Sequence, residues 1–347
     1  MSGPAVGLAG LACRLPEHRF AQDQLKAAAA QLFAGRMPEL AGRLGIFDRA
    51  GVRSRHLALP LAWYLEATDA RERHLRFLRE GERLARAAAE EALRRARVAP
   101  SRVDVVISVT STGALTPSLD AHVAERMGLR ADVARLPVHG LGCAGGVLGL
   151  ARAAALARGG AGVCLLLVVE LCSLALRPAD ASLTNLVACA LFADGAGAAV
   201  VEAGGGAVRI SAWGEARVPQ SLEVMGFAAE QDGLRLMLSP AIPGLVRRHL
   251  RPCAERFLAR HGLALADIDR LAIHPGGPKV LEAVAEGMGA RASDLALAAR
   301  VLERFGNVSA VSILLVLERL LADPDWGRAL AVAMGPGFTI GFVLLER

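Results

Sequence analysis

Apolar positions fall along the chain in blocks that occur twice. From Ser101 the sequence reads SRVDVVISVTSTGALTPSLDAHVAERMGLRAD, an apolar run that breaks at Gly113 and Pro117 and then adopts helical spacing. From Ala266 it reads ADIDRLAIHPGGPKVLEAVAEGMGARASD, with the same aspartate-led strand, the same Gly/Pro break and a helix ending in the same pair, Met127-Gly128 and Met288-Gly289. LPVHGLGCAGGVLGLARAAAL is echoed by LERFGNVSAVSILLVLERLL, each placing a glycine before one polar residue that opens a helix. ALFADGAGAAVVEA and AVAMGPGFTIGFVLLER follow, each predicting a glycine-broken pair of apolar strands. The pattern is an internal duplication of a βαβαββ unit, divided into residues 1–205 and 206–347. Continuous apolar strands alternating with helices predict an α/β fold whose sheets are covered on both faces, with the two halves packed back to back. Arg71 to Arg97 predicts a surface helix with Glu/Arg pairs and an Ala/Leu face.

Composition narrows the class. With 347 residues and 53% hydrophobic content the chain can bury a large core. Its mean hydropathy of +0.38 would suit a membrane protein, but apolar runs such as Val163 to Val169 and Val311 to Leu317 fall short of the ~20 residues a spanning helix needs. No stable membrane insertion is expected. The Gly/Ala-rich start, Met1 to Leu15, lacks the charged flank and apolar block of a secretory signal, so the expected compartment is the cytoplasm. The six cysteines have no CxxC pairing, which predicts reduced thiols and no metal site. The net charge of +6 is almost wholly arginine, Lys26 and Lys279 being the only lysines. It can steer an anionic substrate, but it lacks the interleaved aromatics of a nucleic-acid platform, so no nucleic-acid partner is expected.

Three residues carry candidate chemistry. Cys143 lies in Gly140-Leu141-Gly142-Cys143-Ala144-Gly145-Gly146, where a strand gives way to a helix. A thiol at a helix start is favoured as thiolate by the macrodipole and free N–H groups, and the flanking glycines permit a tight turn and close approach by a carbonyl. Alone, such a turn could simply hold a buried cysteine. His274 ends the strand Leu271 to Ile273 and precedes Pro275-Gly276-Gly277-Pro278, at a strand's C-terminal edge where α/β sites gather. Alone, it could be a structural histidine. Asn307, in Gly306-Asn307-Val308-Ser309, could merely cap the next helix. The duplication sets Cys143 and Asn307 at matching helix starts, and pseudo-twofold packing would gather all three. Histidine would then pair with the thiolate, and histidine and asparagine would donate to a thioester oxygen as charge develops.

These residues resemble the type III polyketide synthases, the chalcone synthase-like family, along nearly the whole chain. LGCAGG resembles the family's nucleophile turn, AIHPGGPKVLEAV its histidine motif, GNVSA its asparagine motif, ALFADGAGAAVV its gatekeeper strand and GPGFTI its C-terminal loop. Val169-Glu170-Leu171-Cys172-Ser173 and Ser111-Thr112-Gly113-Ala114-Leu115-Thr116-Pro117 look closest to bacterial alkylresorcinol and alkylpyrone synthases. The resemblance implies a thiolase-like layered αβαβα fold, a homodimer and an acyltransferase that needs no cofactor. Cys143 would accept a starter from an acyl-CoA, and His274 with Asn307 would promote decarboxylation of malonyl-CoA for iterative extension and cyclisation.

The same resemblance assigns the remaining site. Phe192 matches the first gatekeeper between the coenzyme A tunnel and the cavity, while the second falls near Leu236, where the aromatic pattern is lost. Cys172 replaces a polar cavity residue, and Thr116 the residue that reaches the partner's cavity. Thr112, Ser309, Gly335 and Gly337 complete the implied substrate-binding set. Arg49 and Lys279 are the implied coenzyme A phosphate contacts, and Gly42-Arg43-Leu44-Gly45 stands where a lysine-rich cluster is expected. Glu170 and Asp194 are expected to be structural. The softer lining favours a long fatty acyl starter and alkylpyrone or alkylresorcinol products. Two alternatives remain: a ketoacyl synthase of the fatty-acid-initiating type, which shares the triad on this fold, and a non-catalytic acyl-binding subunit.

Overall fold

The computed structural model describes residues 4–66, 69–113, 115–230 and 233–347; Ala114, within the motif at 111–117, lies outside them. The strands in chain order are β1 (Val6–Arg14), β2 (His18–Ala21), β3 (Ser54–Leu57), β4 (Val105–Thr110), β5 (Ala134–His139), β6 (Val163–Leu171), β7 (Asp194–Ala203), β8 (Val208–Arg217), β9 (Met225–Glu230), β10 (Gly233–Leu238), β11 (Arg270–Ile273), β12 (Arg328–Gly335) and β13 (Thr339–Glu346). β2 with β3 and β9 with β10 form separate two-stranded ribbons.

The other nine strands make one mixed sheet in the order β11-β12-β13-β8-β1-β7-β6-β4-β5. The duplication is visible in that order. Outward from its centre, each half runs first strand, last strand, next to last, then second: β1-β7-β6-β4 on one side and β8-β13-β12-β11 on the other. The halves join where Gly7 and Leu8 pair antiparallel with Arg209 and Val208. Matching details recur. Asp104 accepts from the Val163 amide at the start of β6 at 2.8 Å, and Asp269 accepts from the Arg328 amide at the start of β12 at the same distance. Gly128 and Gly289 end their helices in the left-handed conformation, φ 62° and 68°, which a glycine adopts without steric cost.

Helices Gly145–Leu156 and Val311–Ala322 touch strands of both halves and form the middle layer. The arginine-rich helix Ala70–Ala96 covers β1, β6 and β7 from outside, and Ile242–Ala259 with Pro278–Met288 covers the second half. The result is the helix–sheet–helix–sheet–helix stack implied by the duplication. Strand β6 shows why its sequence is apolar throughout. Leu165, Leu167 and Val169 pack with the alanine face Ala85, Ala88, Ala89 and Ala92 of the outer helix, while Cys164, Leu166 and Val168 face the middle layer. Each leucine so buried is worth ~1.5–3 kcal/mol. No helix of the described residues is long and apolar enough to cross a membrane.

Two local expectations are corrected. The second copy has no counterpart of β5, because ALAARVLERF spaces Leu297, Val301, Leu302 and Phe305 for a helix, Ala296–Phe305. ALFADGAGAAVVEA is not a strand pair: it contains the end of helix Leu183–Leu191, the cap residue Phe192 and the single strand β7. The true counterparts are the antiparallel pairs β6–β7 and β12–β13. Gly335-Pro336-Gly337-Phe338 connects the second pair tightly, whereas 22 residues (172–193) separate β6 from β7. That insertion carries Phe192 to the site.

Candidate active site

Cys143 sits in a tight 3-10 turn, Gly142–Ala144, that runs into helix Gly145–Leu156. Gly140 (φ 85°) and Gly142 (φ 47°) supply the left-handed backbone the turn requires. A Cβ on Gly146 would lie 2.3 Å from the Ala310 carbonyl oxygen, and one on Gly335 would lie 2.4 Å from that of Leu141. Glycine at these positions therefore lets the Cys143 turn, the start of helix Val311–Ala322 and the 335–338 connection come into contact. There the Cys143 Sγ lies 3.7 Å from Ser309 Oγ.

That contact corrects the register of the duplication. Helices Gly145–Leu156 and Val311–Ala322 begin two residues after Cys143 and Ser309 respectively, so Ser309, and not Asn307, is the counterpart of Cys143. Ser309 holds a left-handed φ of 46°, matching the turn around Gly142. Asn307 does not cap the helix. Its Oδ1 accepts from the Ser309 amide at 2.8 Å and its Nδ2 donates to the Gly276 carbonyl at 3.1 Å, linking it to the loop after His274. Its backbone bridges Phe192.

His274 ends β11, where its amide donates to the Val332 carbonyl at 2.9 Å. Its ring is buried, and neither nitrogen has a hydrogen-bond partner among the described residues. Burial lowers its pKa to about 3. Cys143 is pushed up to about 12, chiefly by burial; the side chains of Ser309 and Asn307 counter this, and the charge of Glu170 adds to it. The balance favours the thiol, not the thiolate predicted from a helix start, because desolvation outweighs the local N–H groups.

Glu170 is fully buried at the end of β6, beside this cluster. Thr112 Oγ1 donates to it at 2.7 Å, the Ser111 amide at 3.2 Å and Ser309 Oγ at 3.4 Å. Burial raises its pKa to about 7. Sequence reasoning set Glu170 aside and missed Ser111; the available signal was a lone acid ending an otherwise apolar strand, opposite a Ser-Thr pair. Asp194 is also buried, accepting from the amides of Ala58 (2.6 Å) and Ser173 (2.8 Å).

A cavity opens at the sulfur. Thr112, Cys143, Cys172, Phe192, Leu236 and Ser309 all line it, together with Met225 and Phe227 from β9. Phe192 does so from a helix cap and not from a strand. His274 and Asn307 are buried and are not among the lining residues. Gly335 and Gly337 do not line it; they flank Pro336, which does. Thr116 is exposed and is not part of that lining. Arg49 and Lys279 are exposed as well, on segments brought together where a Cβ on Gly51 would lie 3.0 Å from Pro278 Cγ. Among the described residues no group of three His, Cys, Asp or Glu side chains could hold a metal ion.

A half-buried thiol that opens on an apolar cavity, with a buried amide beside it and a buried, unpaired imidazole one loop away, suits acyl transfer on a duplicated α/β fold. Residues 61–205 match the family described as chalcone and stilbene synthases, N-terminal domain, and residues 211–347 match its C-terminal domain, so the chain belongs to that family. It is accordingly an acyltransferase, a type III polyketide synthase that acts on coenzyme A thioesters without a cofactor. The chain is 40% identical to a 1,3,6,8-tetrahydroxynaphthalene synthase of Streptomyces peucetius subsp. caesius, covering 98% of this chain and 93% of the relative. An alpha-pyrone synthesis polyketide synthase-like protein, Pks18, of Mycobacterium tuberculosis is 28% identical over 97% of this chain and 90% of its own. The crystal structure of 1,3,6,8-tetrahydroxynaphthalene synthase from Streptomyces coelicolor A3(2) superposes with a TM-score of 0.92 at 26% identity, covering 99% of each chain. The motifs looked closest to alkylresorcinol and alkylpyrone synthases, whereas the relative at 40% identity is named for tetrahydroxynaphthalene and the alpha-pyrone one stands at 28%.

Proposed function

We propose that Cys143 carries the growing chain and that His274 and Asn307 drive each extension. The thiol proton passes to His274 as the sulfur attacks the acyl-CoA carbonyl and free coenzyme A leaves. Burial opposes charge on either group alone, but this transfer creates opposite charges together and leaves the net charge of the site unchanged. Malonyl-CoA then loses carbon dioxide, and hydrogen bonds from His274 and Asn307 stabilise the enolate oxygen. The enolate carbon attacks the Cys143 thioester, the cysteine sulfur leaves, and the lengthened β-ketoacyl-CoA returns to Cys143 for the next round. The observation that carries this reading is the Cys143 thiol on the cavity wall, with the Asn307 amide beside it and bound through Nδ2 to the loop that follows the unpartnered His274 ring. Residues 1–205 thus supply the nucleophile and 206–347 the groups that make the enolate.

The starter in this reading is a fatty acyl group, and the product an alkylpyrone or alkylresorcinol. The apolar wall of Leu236, Leu238, Met225 and Cys172, with no aromatic residue at Leu236, supports it. A second reading is favoured by the 40% identical relative named for tetrahydroxynaphthalene. A naphthalene skeleton has ten carbons, which five two-carbon units from malonyl-CoA supply without a separate starter. Incubation with malonyl-CoA alone, against malonyl-CoA with dodecanoyl-CoA, separates the two. Alkylated products from the second mixture support the fatty starter; a naphthalene product from both mixtures, with no alkylated one, refutes it.

Arg49 and Lys279 are proposed to hold coenzyme A phosphates. A homodimer is proposed too, since the edge strand β5 is largely exposed, Leu136 included, and offers a surface for a partner to cover. All six cysteines are free, in keeping with a cytoplasmic setting.

A further inference from the structure

A second cavity shares Leu176, Arg177, Asn185 and Phe192 with the one at Cys143. Most of its wall is apolar, including Leu25, Leu57, Leu61 and Leu65, and no acidic side chain lines it. Two arginines do. Arg55 is 1% exposed; its Nε donates to Gln22 at 3.2 Å and its Nη1 to the Phe192 carbonyl at 2.6 Å, while Nη2 is buried without a partner. Arg73 stacks on Trp63, with 5.4 Å to the ring centre, and its Nη1 donates to the Leu174 and Leu176 carbonyls at 3.3 and 3.1 Å. Its Nη2 is likewise buried and unpaired. Apart from the two ring nitrogens of His274, these are the only buried side-chain polar atoms without a partner among the described residues. Asp194 attracts Arg55 but is itself occupied by the amides of Ala58 and Ser173 and the Ser173 hydroxyl.

A buried cation whose hydrogen bonds end on neutral carbonyls is costly unless an anion completes it. Planar guanidinium groups suit carboxylate oxygens, and leucine walls suit an alkyl chain. We propose that this cavity receives a carboxylate carried on an alkyl chain, its oxygens taking the open Nη2 groups of Arg55 and Arg73. The carboxylate has two possible sources: a free fatty acid, or the far end of an ω-carboxyacyl chain that is bound to Cys143 and passes Phe192. The second source rests on the role proposed for Cys143; the first does not.

Calorimetry on the full chain tests the site with decanoate and 1-decanol. Wild type should bind decanoate on the order of tenfold or more tighter than the alcohol, since a hydrogen bond to a charged group is worth about that factor. Arg73→Gln should erase the difference, and Cys143→Ala should leave it intact. Equal binding of acid and alcohol, binding of neither, or a difference that survives Arg73→Gln overturns the proposal unless the second arm succeeds. That arm compares acylation by the coenzyme A thioesters of decanoic acid and of decanedioic acid. A preference of wild type for the ω-carboxyl thioester, lost in Arg73→Gln while decanoyl transfer is unchanged, assigns the source to the tethered chain. No preference there and no decanoate selectivity together refute the site. Should Arg73→Gln fail to fold, Ala28→Phe, which fills the cavity, decides: decanoate binding that persists refutes the site. If no thioester acylates Cys143, the proposed function fails, and the decanoate arm still judges the cavity.

Discussion

Glu170 shows how one side chain links the chemistry of the site to the stability of the fold. In the unfolded chain it titrates near 4.5 and in the folded protein near 7. The folded state therefore holds the extra proton between those values, and stability falls as pH rises through the window, by roughly 3 kcal/mol for this group. Asp194, raised from 3.8 to about 6 by burial, adds a fall of the same sign at slightly lower pH. Melting curves from about pH 5 to pH 8 should show the decline, and Glu170→Gln should flatten part of it; an unchanged slope contradicts the assignment. His274 separates two steps of the reaction. His274→Ala should lower malonyl-CoA decarboxylation by at least ~100-fold, measured as carbon dioxide release, and a near-normal rate would remove His274 from the enolate step. Cys143, His274 and Asn307 drew attention in the sequence because each stands in a Gly- or Pro-marked turn, and the roles given to them are proposals. Glu170 was not, because an acid at a strand end has the same local signature whether or not it faces a cavity.

Among the elements, the glycines of the nucleophile turn and of the 335–338 connection are packing devices. Gly335→Ala would place a methyl group against the Leu141 carbonyl and the Ala144 amide, at 2.4 and 2.8 Å. The expected cost is ~1–3 kcal/mol in chemical denaturation, as for other overpacked sites; wild-type stability would show that the turn moves freely. The ribbon β9–β10 lines the cavity at Cys143, and the proposed fatty starter would run along it. Leu236→Phe should lower kcat/KM for dodecanoyl-CoA relative to acetyl-CoA, and an unchanged ratio would mean that the chain runs elsewhere. The repeating strands and helices were readable from apolar spacing, down to the paired Met-Gly helix ends. Phe192 at a helix cap and the helix Ala296–Phe305 were not, because ALFADGAG carries an apolar run too short to distinguish helix from strand, and the comparison of halves favoured a strand.

For the molecule as a whole, the pseudo-twofold arrangement explains why Cys143 of one half meets Ser309 and Asn307 of the other. The two middle helices start against each other, and their first turns carry Cys143 and Ser309 into contact. The layered stack followed from the duplicated pattern. The two-residue shift that pairs Cys143 with Ser309 did not, because Gly142-Cys143 and Gly306-Asn307 match as text while the helix starts set the true register. The central claim is that Cys143 is the acyl carrier of a condensing enzyme, and mass spectrometry of the intact chain after exposure to dodecanoyl-CoA tests it most directly. The expected result is one dodecanoyl adduct, located on the peptide containing Cys143 and absent from Cys143→Ala; no adduct, or one on Cys172 that persists in Cys143→Ala, would contradict it.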